Sequence, residues 1–182
     1  MNLKEKQLTS NYLFKGRIIN LRQDTALLPN GNTATREVIE HPSGVCVAAL
    51  TDNDELLFVR QWRYPYMEET LEIPAGKRDR LDEDPLECGK RELREETGAT
   101  AESYIDLQPM YPTPGYINEV IYCYLATGLT FGEQDTDEDE FLDVLRITLE
   151  KAVEMVLSGE IKDAKTQAAV LKLKMLKENG NI

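Results

Sequence analysis

Histidine is almost missing from this 182-residue chain. His41 is the one imidazole, so chemistry that needs two or three histidines, a zinc tripod for example, has no material here. Cysteine is scarce as well: Cys46, Cys88 and Cys123 are scattered and odd in number. They form no C-x-x-C pair, so neither a paired-thiolate zinc site nor a disulfide framework is expected. No long apolar run occurs, since Val45 to Leu50 falls far short of the ~20 residues that a membrane helix needs. The N-terminal stretch Met1-Asn2-Leu3-Lys4-Glu5-Lys6-Gln7 is too charged for a signal peptide. Positive charge is the remaining scarcity. Lys and Arg number 21 against 33 Asp and Glu, a net charge of −12, and the basic residues do not cluster. A nucleic-acid backbone would be repelled, no membrane partner is expected, and the cytoplasm is the expected location. Whatever chemistry occurs must run on carboxylates.

Apolar residues make up 41% of the chain, enough for a core in one domain with a small accessory layer. Residues 17–24 and 34–40 read as strands around the turn Pro29-Asn30-Gly31, a hairpin that forms an N-terminal layer. Gly44 to Thr51, Glu55 to Trp62 and Thr70 to Ile73 follow as strands. Asp84-Pro85 then looks like an N-cap with proline at the first helical position, and the helix runs to Gly98, a natural C′ residue. Extended segments are expected near 103–110, 118–126 and 141–147. Two amphipathic helices close the chain. Leu149, Ala152, Val153 and Val156 form the stripe of one; Ala164, Ala168, Leu171 and Met175 form that of the other. Strands interrupted by one helix and closed by two predict an α/β fold, a mixed sheet with helices on its faces.

The interrupting helix carries the run Arg91-Glu92-Leu93-Arg94-Glu95-Glu96-Thr97-Gly98. At about 100° per residue, Leu86, Gly89 and Leu93 share an inward face, with Glu92 and Glu96 one turn apart along its edge and Glu95 nearby. Like charges at that spacing cost a helix a few tenths of a kcal/mol (~0.2–0.5), which a cation removes. Oxygen ligands suit Mg²⁺ or Mn²⁺. Three glutamates on a helix would, by themselves, more often make a solvated acidic face.

They do not stand by themselves. The pattern Gly76-x6-Glu83-x7-Arg91-Glu92-Leu93-x-Glu95-Glu96-x-Gly98 resembles the signature of the Nudix hydrolases. It has one extra residue between the glycine and the first glutamate, in a loop where insertions are tolerated, and closes on Ala99, a small apolar residue. Val59-Arg60-Gln61-Trp62-Arg63-Tyr64-Pro65, Leu71-Glu72-Ile73-Pro74-Ala75-Gly76, Thr113-Pro114-Gly115-Tyr116-Ile117-Asn118-Glu119 and the acidic Asp137-Glu138-Asp139-Glu140-Phe141 look like the ADP-ribose pyrophosphatase branch. The likeness spans about residues 16 to 172.

This resemblance implies an α/β/α sandwich over residues 43–182, preceded by an antiparallel β layer over 1–42 that dimerises and completes the neighbour's site. It implies hydrolysis of the pyrophosphate of ADP-ribose or a related nucleoside-diphosphate sugar, with Mg²⁺ or Mn²⁺. Glu92, Glu96, the main-chain carbonyl of Ala75 and Glu140 would hold the metal, and Glu95 would contribute through water. Glu138 would be the base, with its role and that of Glu140 exchangeable. Arg91 would orient a glutamate. Arg36, Glu37 and Arg63 would bind the substrate, while Thr113, Gly115 and Glu119 shape the sugar end. Where some relatives stack the base on an aromatic, this chain has Arg17-Ile18, and Trp62 is expected more in the core than as a platform. Two other readings stand beside this one. One is a broader nucleotide-sugar pyrophosphatase that prefers, for instance, GDP-mannose. The other is a module that senses ADP-ribose without cleaving it.

Overall fold

A computed structural model describes residues 2–80, 82–136 and 140–182. The chain divides into two compact units: Met1–Ser43 with Tyr111–Val120, and Gly44–Met110 with Ile121–Ile182.

The first unit is an antiparallel sheet of three strands in the order β1-β2-β3: β1 (Lys6–Lys15), β2 (Asn20–Leu27) and β3 (Thr33–Glu40). The sequence predicts only a hairpin here, and β1 is the strand it misses. All ten residues of β1 are exposed, so no buried face imposes an apolar–polar alternation, and alternation is the signal by which strands are read. The turn at Pro29-Asn30-Gly31 is present. Gly31 takes the left-handed φ of +87°, and its N–H donates to the Leu28 carbonyl at 3.0 Å. The segment 111–120 joins this unit beside β3. The Ile39 N–H donates to the Tyr116 carbonyl, and the Asn118 N–H donates to the Ile39 carbonyl.

The second unit holds a mixed sheet, β7-β4-β9-β8, and an antiparallel sheet, β10-β5-β6. Its strands are β4 (Gly44–Ala49), β5 (Glu55–Arg63), β6 (Glu68–Glu72), β7 (Ala75–Lys77), β8 (Ala99–Asp106), β9 (Ile121–Phe131) and β10 (Leu142–Thr148). Strand β4 lies parallel to β9 and antiparallel to β7. Every residue of β4 is buried, as a continuous Val-Cys-Val-Ala-Ala run in a sheet covered on both faces requires. Helices α2 (Leu149–Ser158) and α3 (Ala164–Glu178) pack on Phe58, Cys123 and Leu125, whereas α1 (Pro85–Thr97) sets Leu93 against Val47 and Leu57. The result is the α/β/α arrangement expected. Among the described residues no helix is long and apolar enough to cross a membrane, and the three cysteines are free and buried.

The face of α3 differs from the one the periodicity predicts. Thr166, Ala169, Val170 and Leu173 are the buried residues, while Leu171 and Met175 lie exposed. Polar anchors set the rotation. Thr166 donates through its hydroxyl to Asp163 at 2.6 Å and accepts the Ile73 N–H at 3.0 Å. Apolar residues occur on several sides of α3, so its pattern alone fixes no single face.

Candidate active site

Helix α1 is started and stopped by the residues that the sequence nominates. Asp84 accepts hydrogen bonds from the N–H groups of Leu86 and Glu87, with Pro85 at the first turn. Gly98 ends the helix at φ +68° and lies so close to Gly132 that a Cβ would meet its carbonyl oxygen at 2.4 Å. Between these caps the buried face reads Cys88, Gly89, Glu92, Leu93, Glu96 and Thr97. Two glutamates one turn apart are therefore inside, not on the rim.

Both carboxylates are difficult to ionise. Burial pushes Glu92 up to about 7; the Arg91 guanidinium works against this, and the charges of Glu95 and Glu140 add to it. Burial pushes Glu96 further, to about 8. The hydrogen bond from the Ala75 N–H opposes that rise, and Glu92 and Glu140 reinforce it. That N–H donates to Glu96 Oε2 at 2.9 Å, tying the start of β7 to the last turn of α1. The next residue explains the glycine of the motif: a Cβ on Gly76 would fall 1.9 Å from the Glu92 carboxyl carbon. Only a residue without a side chain lets Glu92 lie there.

Arg91 spans the cluster. Its Nη1 lies 2.8 Å from Glu92 Oε1 and 2.9 Å from Glu95 Oε2. Its Nε lies 3.4 Å from Glu83, and Glu83 in turn accepts the Asp79 N–H at 2.8 Å. The loop that carries the extra residue is thus tied to the helix by the first glutamate of the motif. Among the described residues no three His, Cys, Asp or Glu side chains are drawn together as a ready metal cage. The donors nonetheless suit a hard divalent cation: two buried carboxylates with raised pKa values and a third glutamate whose charge acts on both.

A second charged cluster lies in the same unit, and its sequence signal is weak. Arg63 grips Glu72 bidentately, Nε to Oε1 at 2.7 Å and Nη2 to Oε2 at 2.6 Å. Lys165 pairs with Glu72 from α3 and with Asp163 at 3.0 Å. Glu72 is 2% exposed. Burial opposes its ionisation, but Arg63 and Lys165 together outweigh burial and hold its carboxyl at about 2. Lys165 stands 93 residues from Glu72 along the chain, and no local pattern pairs them. Trp62 departs from its expected place in the core. It is 53% exposed.

The other candidates divide between the units. Arg36 and Glu37 lie exposed on β3 of the first unit, where Arg36 pairs with Glu5 at 2.7 Å. Thr113, Gly115 and Glu119 lie in the 111–120 segment of that unit. Glu119 faces His41 at 3.3 Å, and a Cβ on Gly115 would meet nothing within 4 Å. Arg63, Ala75, Arg91, Glu92, Glu96 and Glu140 belong to the second unit. Glu138 lies outside the described residues.

Known proteins share both the sequence and the fold. Residues 5–39 match the nucleoside diphosphate sugar hydrolase N-terminal domain, and residues 40–171 match the NUDIX domain. An ADP-ribose pyrophosphatase of Bacillus subtilis (strain 168) is 39% identical over 96% of this chain and 95% of its own length. A methanol dehydrogenase activator of Bacillus methanolicus is 38% identical over 94% of each chain. A GDP-mannose pyrophosphatase of Yersinia enterocolitica is 29% identical over 91% of this chain and 93% of its own. The crystal structure of an ADP compounds hydrolase superposes over the full length of both chains with a TM-score of 0.85 at 21% identity, a likeness of fold. The glutamate helix with its fitted glycine, the α/β/α sandwich and the two matched domains place this chain in the Nudix hydrolase family.

Proposed function

We propose that the protein hydrolyses the pyrophosphate bond of ADP-ribose or a related nucleoside-diphosphate sugar, with Mg²⁺ or Mn²⁺, to give a nucleoside monophosphate and a sugar phosphate. The observation that carries this reading is the pair of buried carboxylates, Glu92 and Glu96, lifted to about 7 and about 8 beside Ala75 and Gly76. Glu92, Glu96, Glu140 and the Ala75 carbonyl would hold the cation. When bound, such an ion neutralises phosphate charge and lowers the pKa of the attacking water. Arg91 keeps Glu92 and Glu95 in place. Glu138 is proposed as the base that takes the water's proton, with Glu140 as the exchange candidate. Arg63, held by Glu72, would present its guanidinium to the diphosphate. Arg36, Glu37, Thr113, Gly115 and Glu119 would contact the rest of the substrate. Its place of work is proposed to be the cytoplasm.

ADP-ribose is favoured because the Bacillus subtilis relative of that name is the more similar. GDP-mannose is the second reading, favoured by the Yersinia relative. A non-cleaving sensor is disfavoured by the complete set of box glutamates. The test is a panel of ADP-ribose, ADP-glucose and GDP-mannose, assayed for released monophosphate with and without Mg²⁺. Binding of ADP-ribose without release from any compound would leave the sensor as the reading.

We propose further that the protein works as a homodimer in which the layer of residues 1–42 completes the neighbour's site. Support comes from β1, a fully exposed strand carrying Leu8, Tyr12, Leu13 and Phe14. Long exposed apolar edge strands are normally covered.

A further inference from the structure

We infer that Lys165, on α3, is a positioning residue: it acts through Glu72 to hold Arg63 with one edge of its guanidinium turned to the diphosphate of the substrate. The inference rests on the reading of the chain as a nucleoside-diphosphate-sugar hydrolase and deepens it. The start of α3 places Lys165. Asp163 caps the helix, its Oδ2 accepting the N–H of Thr166 at 2.9 Å and its hydroxyl at 2.6 Å. Asp163 Oδ1 lies 3.0 Å from the Lys165 ammonium. Thr166 in turn accepts the Ile73 N–H at 3.0 Å, which fixes the first turn of α3 to the residue that follows β6.

Three observations make this cluster more than a buried ion pair. The first is that Glu72 is saturated. Its Oε1 accepts from Arg63 Nε and from the Thr70 hydroxyl, each at 2.7 Å. Its Oε2 accepts from Arg63 Nη2 at 2.6 Å and from Lys165. A carboxylate offers about four lone-pair sites, so with all of them taken this one is locked against rotation. The second is the free edge of Arg63. The bidentate grip uses two of its N–H groups, and the others make no hydrogen bond among the described residues. The Arg63 side chain is 39% exposed, against 10% for Lys165 and 2% for Glu72. Two buried charges thus serve an arginine that reaches water, with a planar donor edge that matches phosphate oxygens. The third is placement. Glu72 lies three residues before Ala75, whose N–H donates to Glu96 at 2.9 Å, so the stretch that grips Arg63 is the stretch that meets the proposed metal ligands. Lys165 also draws on Glu72 charge that Arg63 would otherwise neutralise alone. Asp163, which shares Lys165, sits at the N-terminus of α3, where the helix dipole answers a negative charge. Arg63 therefore keeps its attraction for an anion.

The test compares Lys165→Met and Lys165→Arg with Val170→Ala, which thins the buried face of α3 and leaves the ionic cluster alone. Two quantities are measured on the full-length protein. One is the kinetics of ADP-ribose hydrolysis with Mg²⁺. The other is the water exchange of the Arg63 Nε–H by NMR, its signal assigned by its loss in Arg63→Gln. Lys165→Met is expected to raise KM about tenfold with kcat held within about threefold, and to speed the exchange about tenfold. Lys165→Arg keeps the charge and is expected to recover most of both losses, while Val170→Ala changes neither. An equal rise of KM in Val170→Ala would make Lys165 a packing residue and overturn the proposal. So would an unchanged KM in Lys165→Met, whatever the exchange rate does. Should that variant not fold, Thr70→Val decides, because it removes one donor from Glu72. Its KM is expected to rise about threefold at unchanged kcat, and no rise overturns the proposal. If no nucleotide sugar is hydrolysed, the hydrolase reading falls, and the exchange rates alone decide whether Lys165 orders Arg63.

Discussion

A carboxylate's environment can work for or against its charge, and this chain shows both cases. Glu96 is buried with little to compensate it, at about 8. Glu96→Gln should fold normally and, in EDTA, melt no lower than the parent, because the amide has no ionisation that burial opposes. Its kcat at saturating Mg²⁺ should fall by about 100-fold or more, since a charged ligand to the cation is lost. Near-normal turnover would remove Glu96 from the metal site. Glu72 is the opposite case, held at about 2 against an ordinary 4.5 by Arg63 and Lys165. Between those two values the unfolded chain binds more protons than the native one, so stability falls as pH drops through that window. The contribution is complete above pH 4.5 and corresponds to about 3 kcal/mol. Glu72→Gln should lower the melting temperature at neutral pH, since breaking a buried pair costs about 3–5 kcal/mol. The gap between parent and variant should close as pH falls toward 2. A gap that stays constant in acid would show that the pair carries no such linkage.

Helix α1 carries two of the four proposed metal ligands, Glu92 and Glu96, and its position depends on its ends. Asp84 satisfies two N–H groups of the first turn. Asp84→Ala should therefore cost about 1 kcal/mol, read as a lower denaturant midpoint at an unchanged m-value. Because Asp84 lies well before Glu92, kcat should hold. Gly76→Ala tests the opposite end of the site. The added Cβ would collide with the Glu92 carboxyl, so Mg²⁺ affinity measured by calorimetry should drop while the helix content seen by circular dichroism stays. Retained affinity would mean that Glu92 does not lie against Gly76 when it binds metal. The caps were legible because each is a local device: Asp84 bonds to backbone two and three residues on, and Gly98 takes the left-handed φ that ends the helix. The rotation of α3 was not, because Thr166 takes its partner from Ile73, 93 residues distant.

At the scale of the whole molecule the open matter is what covers β1. Ten exposed residues on one strand with an apolar share this large make association the expected state. Sedimentation at micromolar concentration should give twice the chain mass of 20.7 kDa; a stable, active species of single mass would sink the dimer. Deleting residues 1–40 should produce monomers that keep helix α1 and lose most substrate affinity. Intact activity in such monomers would separate the layer from the site.

The sequence by itself determined the α/β class, both ends of α1, the four-residue spacing of Glu92 and Glu96 and the glycine opposite them. All of these are consequences of local geometry, of turns, caps and 3.6-residue periodicity. Tertiary structure decided the rest. It put Glu92 and Glu96 inside instead of at the rim, added β1 as a strand with no buried face, and turned α3 on polar anchors. It joined Arg63, Glu72 and Lys165 into one ionic cluster and left Trp62 open to solvent. Each of these depends on what lies across a sheet or on a distant helix. A local pattern does not encode that, because burial and charge pairing are properties of neighbours in space.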